Sequence, residues 1–92
     1  MGTLHNHKGE LHGMTVVVDT QGPQVYIGRC ATMDEQQIVL LDAGEHDGKD
    51  GYSKDSYVQN AAKYGVWKKH DQVVIPRSEV TSVRRLGDFP VE

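Results

Sequence analysis

The sequence predicts an all-β chain, with five short strands in a strongly bent antiparallel barrel and one helix inserted between the third and fourth strands. Three observations carry that expectation. Aliphatic and β-branched runs recur at short spacing: Val16-Val17-Val18, Val25-Tyr26-Ile27, Ile38-Val39-Leu40-Leu41, Val73-Val74-Ile75, and Val80 with Val83. Turn-forming residues separate them, as in a small β domain. Gly28 interrupts the second run, and a glycine inside a strand marks a bend or a close backbone approach. A strand bent there and folded back at Met33-Asp34-Glu35-Gln36 curls a small sheet towards a barrel. The stretch with helical spacing, Tyr57, Val58, Ala61 and Ala62, falls between the third and fourth runs.

Each element has its own signals. Met14 to Asp19 reads as a β-branched first strand. Thr20-Gln21-Gly22-Pro23 is a turn punctuated by glycine and proline. Gln24 to Thr32 is the second strand, with Val25 and Ile27 on one face and Tyr26, Gly28 and Cys30 on the other. Gln36 to Ala43 is the third, and its continuous apolar centre implies burial on both faces. Gly44 to Gly51 is rich in glycine and charge and reads as a loop. Ser53 or Asp55 caps the helix that follows, and Gly65 ends it. Gln72 to Ile75 is the fourth strand, closed by Pro76, which lacks a ladder donor. Ser78 to Arg85 is the fifth, and Leu86 to Pro90 is a tail. The architecture is a barrel of the SH3-like type.

Composition limits the function classes. A chain of 92 residues makes one domain, 1–92, with a polar segment over 1–13 and a loop-helix insertion over 44–71. Cores of this size are thin, and small chains often gain stability by oligomerising. An apolar share of 37% is low, so a partner subunit is expected to supply some burial. The net charge of -3 disfavours broad electrostatic binding of nucleic acid but leaves room for a local site. The single cysteine, Cys30, cannot form an internal disulfide; it reads as a small core residue in a cytoplasmic protein. Met1 to Gly13 has no apolar targeting core. The longest apolar run, Ile38 to Leu41, is far too short for a bilayer, so no membrane association is expected.

Candidate chemistry is sparse. Asp34 at the turn can accept backbone N–H groups, which is a structural role. Gln37 can offer a donor and an acceptor to a base edge; the plain alternative is a pair of polar residues, Gln36 and Gln37, at a tight turn. His5, His7, His12 and Glu10 include possible metal ligands, but zinc-site spacing is absent and the segment reads as an unstructured tail. Lys63, Lys68, Lys69, Arg84 and Arg85 with Tyr64 and Trp67 form a basic-aromatic cluster of the kind that holds single strands. Trp67, beside the helix stripe, is expected in the core, and the lysines on solvated faces. Ser53, Ser56, Ser78 and Ser82 have no partnered His and carboxylate at recognisable spacing, and His46-Asp47 sits in a glycine-rich loop. No enzymatic activity, cofactor or metal is expected.

Two segments together resemble a known family. Gly22-Pro23-Gln24-Val25-Tyr26-Ile27-Gly28, Asp34, and Gln37-Ile38-Val39-Leu40-Leu41-Asp42-Ala43 are similar to the first motif of the Sm and Sm-like (LSm, Hfq-like) proteins. In that motif a glycine precedes an aspartate by six positions, as Gly28 precedes Asp34. Val73-Val74-Ile75-Pro76-Arg77-Ser78-Glu79-Val80-Thr81-Ser82-Val83 resembles the second motif. The resemblance implies a five-stranded Sm-like barrel in a homo-oligomeric ring of about five to seven subunits, since closed rings cover exposed strand edges. The fourth strand of one subunit would pair with the fifth of its neighbour, placing Val73, Val74, Ile75, Val80 and Val83 at the interface. The resemblance also implies binding of U-rich or A-rich single-stranded RNA through Asp34, Gln36, Gln37 and Arg77. This turn differs from the family pattern: it has no aromatic residue, Pro76 stands where an arginine is expected, and Arg77 where a glycine is. The alternative is therefore an Sm-like assembly or interaction module without an RNA ligand.

Overall fold

Val16, Val17 and Val18 are all buried, which a strand achieves only when both of its faces are covered. The computed structural model, which describes residues 11–49 and 51–89, shows what covers them. The elements are β1 (Thr15–Thr20), β2 (Val25–Met33), β3 (Gln37–His46), α1 (Lys54–Tyr64), β4 (His70–Pro76), a 3₁₀ turn (Arg77–Glu79), β5 (Val80–Arg85) and a second 3₁₀ turn (Leu86–Asp88). The strands form one antiparallel sheet in the order β4-β3-β2-β1-β5. Val16 and Val18 point into the bent sheet with Cys30, Ile38, Leu40, Ala43 and Ile75. Val17 points the other way and meets Val25, Ile27, Val58 and Ala61. The inserted helix is thus the outer cover of β1 and β2, joined there by Leu86 and Phe89 of the tail.

The bend comes from two irregularities between β2 and β3. Ile27 pairs with Gly44 and Arg29 with Leu41, so β3 carries one residue more than β2 across that step, a β-bulge. Asp42 supplies the extra residue with φ 50, a left-handed conformation that Asp tolerates better than most side chains. Cys30 then pairs with Leu40 and Thr32 with Val39, which places the next extra residue on β2. Gly28 lies at the first bulge. A Cβ there would stand 2.8 Å from Ala43 Cβ and 3.0 Å from Leu41 O. The glycine is thus required by close approach of two backbones.

The helix is held at both ends. Ser53 Oγ accepts from the Ser56 N–H at 3.1 Å, and Gly65, at φ +100, donates its N–H to Ala61 O at 2.9 Å. Lys54 Nζ reaches Asp19 Oδ1 at 2.7 Å and Thr20 O at 3.0 Å, pinning the helix start to the end of β1. Among the described residues no helix is long and apolar enough to cross a membrane.

The predicted all-β fold with one helix between the third and fourth strands is what the structure shows, but several boundaries move. β3 continues to His46 rather than stopping at Ala43, because Gly44, Glu45 and His46 pair with Ile27, Tyr26 and Val25. β4 begins at His70, opposite Ala43. The connection between strands is therefore 47–69, shorter at each end than the sequence suggests. Arg77–Glu79 forms a 3₁₀ turn before β5. The candidate metal residues His5, His7 and Glu10, and most of segment 1–13, lie outside the described residues.

Candidate nucleic-acid interface

The turn between β2 and β3 is built by Asp34. Its Oδ1 accepts from the N–H of Gln36 at 2.8 Å and of Gln37 at 2.9 Å, and its own N–H donates to Gln37 O at 3.0 Å. One carboxylate oxygen thus closes the turn, the local arrangement that makes Asp favourable there. The turn at the end of β4 lies against it. Arg77 donates its backbone N–H to Gln36 O at 2.9 Å, and Arg77 Nη1 lies 3.4 Å from Asp34 O. Gln37 pairs with Pro76 at the end of the β3–β4 ladder. Residues 34–37 and 77, far apart in the chain, form one exposed edge.

All four residues singled out from the sequence meet here, with divided roles. Asp34 holds the turn together. Gln36 and Gln37 present amide groups, each able to donate and accept. Arg77 brings a permanent positive charge with planar donors. Glu35, also exposed, adds a second carboxylate at the turn, so the edge carries more negative than positive charge. Such a surface suits hydrogen bonding to base edges better than a long run of phosphate contacts.

The predicted interface residues separate on inspection. Ile75 is 2% exposed and belongs to the chain's own core. Val73, Val80 and Val83 are half-buried against the same core. Val74 points outward at 47% exposure. Among the described residues β4 and β5 are the two outermost strands of the sheet, each paired along one edge.

Trp67 corrects a sequence expectation. It is 88% exposed, and Tyr64 is 76% exposed. Gly65 ends the helix at φ +100 and turns the chain, so Val66, not Trp67, continues the apolar contact with α1. A glycine directly before an apolar pair and a Lys-Lys-His-Asp run were the signals that the helical stripe had already stopped.

A second polar group surrounds Tyr57. His46 is buried and stacks on the Tyr57 ring, centroids 5.0 Å apart. His70 Nε2 lies 2.7 Å from Glu45 Oε1. Burial, and then the negative charge of Glu45, push the Tyr57 phenol up to about 12. Burial likewise raises the Cys30 thiol, which makes it a poor nucleophile. Among the described residues no three His, Cys, Asp or Glu side chains gather as a metal ion would need.

With this geometry the chain can be set beside known proteins. No family model matches it, and no curated protein matches it. Among solved structures it resembles a Pyrococcus abyssii Sm protein in complex with a uridine heptamer, with a TM-score of 0.60 over 88% of this chain and 94% of that one, at 18% identity. The fold is an Sm-like barrel. It also resembles a chain of the NatC complex bound to CoA, with a TM-score of 0.57 at 16% identity, over 84% of this chain and 80% of that one. A chain of the NatC complex bound to Gag peptide and CoA gives 0.56 at 17% identity, covering 83% of this chain and 86% of that one.

Proposed function

We propose that this Sm-like protein assembles into a homo-oligomeric ring of about five to seven subunits and binds single-stranded RNA at the β2–β3 turn. The role is binding rather than catalysis, in the cytoplasm. The observation that carries the reading is the convergence of Gln36, Gln37 and Arg77 on one exposed edge built by Asp34, on a barrel similar to one seen with a uridine heptamer. The outermost positions of β4 and β5 support assembly, because pairing β4 of one copy with β5 of the next would cover both edges. Exposed Val74 would then become buried.

Anisotropy with labelled oligouridylate and oligoadenylate heptamers tests the RNA site, and native mass spectrometry tests the ring. Arg77→Ala is expected to weaken binding by about tenfold through loss of charge-assisted hydrogen bonds, with the subunit count unchanged. Binding indifferent to Arg77→Ala would refute this site, and a 10.2 kDa monomer at micromolar concentration would refute the ring. A second reading, an interaction module without RNA, draws on the likeness to chains of the NatC complex and on the absence of an aromatic residue from the turn. It gains if no homopolymer binds at low salt while the oligomer persists.

A further inference from the structure

The segment after α1 holds its backbone firmly and its largest side chain in water. A Cβ on Gly44 would stand 2.7 Å from Trp67 O and 3.1 Å from Val66 Cγ1, so the segment rests directly on β3 where only a glycine permits it. Lys69 donates its N–H to Ala43 O at 2.8 Å, and Val66 packs with the apolar cluster under α1. Trp67 is thus anchored on both sides, yet its side chain is 88% exposed. Tryptophan is buried in most folded chains, and its rigid indole binds with little loss of conformational freedom when the backbone is already fixed.

We propose that Trp67 and Tyr64, flanked by Lys63, Lys68 and Lys69, form a second single-stranded RNA surface, on which bases stack and lysines meet phosphates. Residues 63–69 contain three lysines and no carboxylate, in a chain whose net charge is -3. The segment is therefore a run of positive charge along the chain that carries two exposed aromatic rings, with the Asp47 carboxylate near Lys69. Lys63 Nζ already lies 5.5 Å from the Tyr64 ring centroid. Lys68 contacts Asp71 at 2.7 Å and Asp42 at 3.7 Å, but exposed pairs of this kind are weak and yield to a phosphate. Aromatic faces beside positive charge are the usual means of holding single strands without sequence preference.

A protein partner suits the surface less well. The adjacent aliphatic residue, Val66, is already engaged with the cluster under α1 and offers no apolar wall to the indole. Lysine is also depleted from the centres of protein interfaces. The surface is distinct from the turn site. Gln37 begins β3, while Gly44, beneath Trp67, lies seven residues further along the same strand, beyond the bulge at Asp42. The proposal needs neither Arg77 nor ring assembly.

Trp67 is the single tryptophan, so its fluorescence reports the site alone. Titration of the full chain with oligouridylate and oligoadenylate at low salt is expected to quench that emission, as a stacked base does. Trp67→Ala should weaken RNA binding about tenfold, the scale of one lost stack, and Trp67→Phe should recover most of it. Lys63→Ala with Lys69→Ala should shallow the logarithmic salt slope by about 1.4, two single-strand phosphate contacts. Because the indole is exposed, melting temperatures should stay unchanged. Unquenched emission alongside binding that depends on Arg77 would overturn the proposal and leave the turn site standing. Quenching indifferent to Arg77→Ala would support it as a surface separate from the turn. Emission that responds to a synthetic polyglutamate peptide and not to RNA would overturn it in favour of a protein surface.

Discussion

Replacing Gly28 by alanine probes the contact that bends the sheet. Gly28 does not use a positive φ, so alanine can adopt its backbone, and a less flexible unfolded chain favours the variant by about 0.4–1 kcal/mol. Packing opposes it. The new methyl group would meet Ala43 Cβ at 2.8 Å, Ala43 Cα at 3.0 Å and Leu41 O at 3.0 Å. Two of these atoms are backbone within a paired strand and cannot rotate away, so the upper part of the overpacking range, about 2–3 kcal/mol, applies. The net loss is about 2 kcal/mol, which for a chain of this size lowers Tm by roughly 8–16 °C. Thermal unfolding followed by circular dichroism measures it. Adding Ala43→Gly removes the nearest contact, so the double variant should be more stable than the sum of the single losses by about 1 kcal/mol. Recovery should be incomplete, because Leu41 O stays in place. A Gly28→Ala protein that melts within about 2 °C of the parent, at the same scale of conversion, would refute the close approach of β2 and β3 at the bulge.

Two further outcomes follow from the outer face. Ala61, on the inner face of α1, is 6% exposed, so Ala61→Asp should cost about 2–4 kcal/mol by burying a charge without a partner; an unchanged chemical-denaturation midpoint would mean that α1 does not pack on β1 and β2. The Tyr57 phenol is raised from 10.0 to about 12, so the unfolded chain ionises first. The stability this residue contributes is complete below pH 10 and is lost as pH rises through about 12. Near-ultraviolet absorbance should show late-titrating tyrosine, to which Tyr26 also contributes because burial raises its phenol; the component near pH 12 should be lost in Tyr57→Phe, and an unchanged titration curve in that variant would count against the assignment.

What the sequence determined by itself was local. Runs of Val, Ile and Leu marked the strands because branched side chains favour extended backbone. Ser53 and Gly65 marked the helix ends because each satisfies backbone groups that a helix leaves open. Gly28 announced a close approach, and the spacing from Gly28 to Asp34 pointed to the turn. The tertiary structure decided everything that depends on who lies opposite. Gly44, Glu45 and His46 look like loop residues by composition, but a strand needs a partner more than a propensity, and Val25 to Ile27 supply one. Asp34 to Gln37 and Arg77 could be called polar turns from sequence; only the pairing of β3 with β4 brings them to one edge. Trp67 is the clearest case. Its neighbours in sequence suggested burial, yet burial is a property of the whole surface. Once Val66 fills the space beside α1 and Gly44 lets the backbone settle on β3, the indole has no interior left to enter.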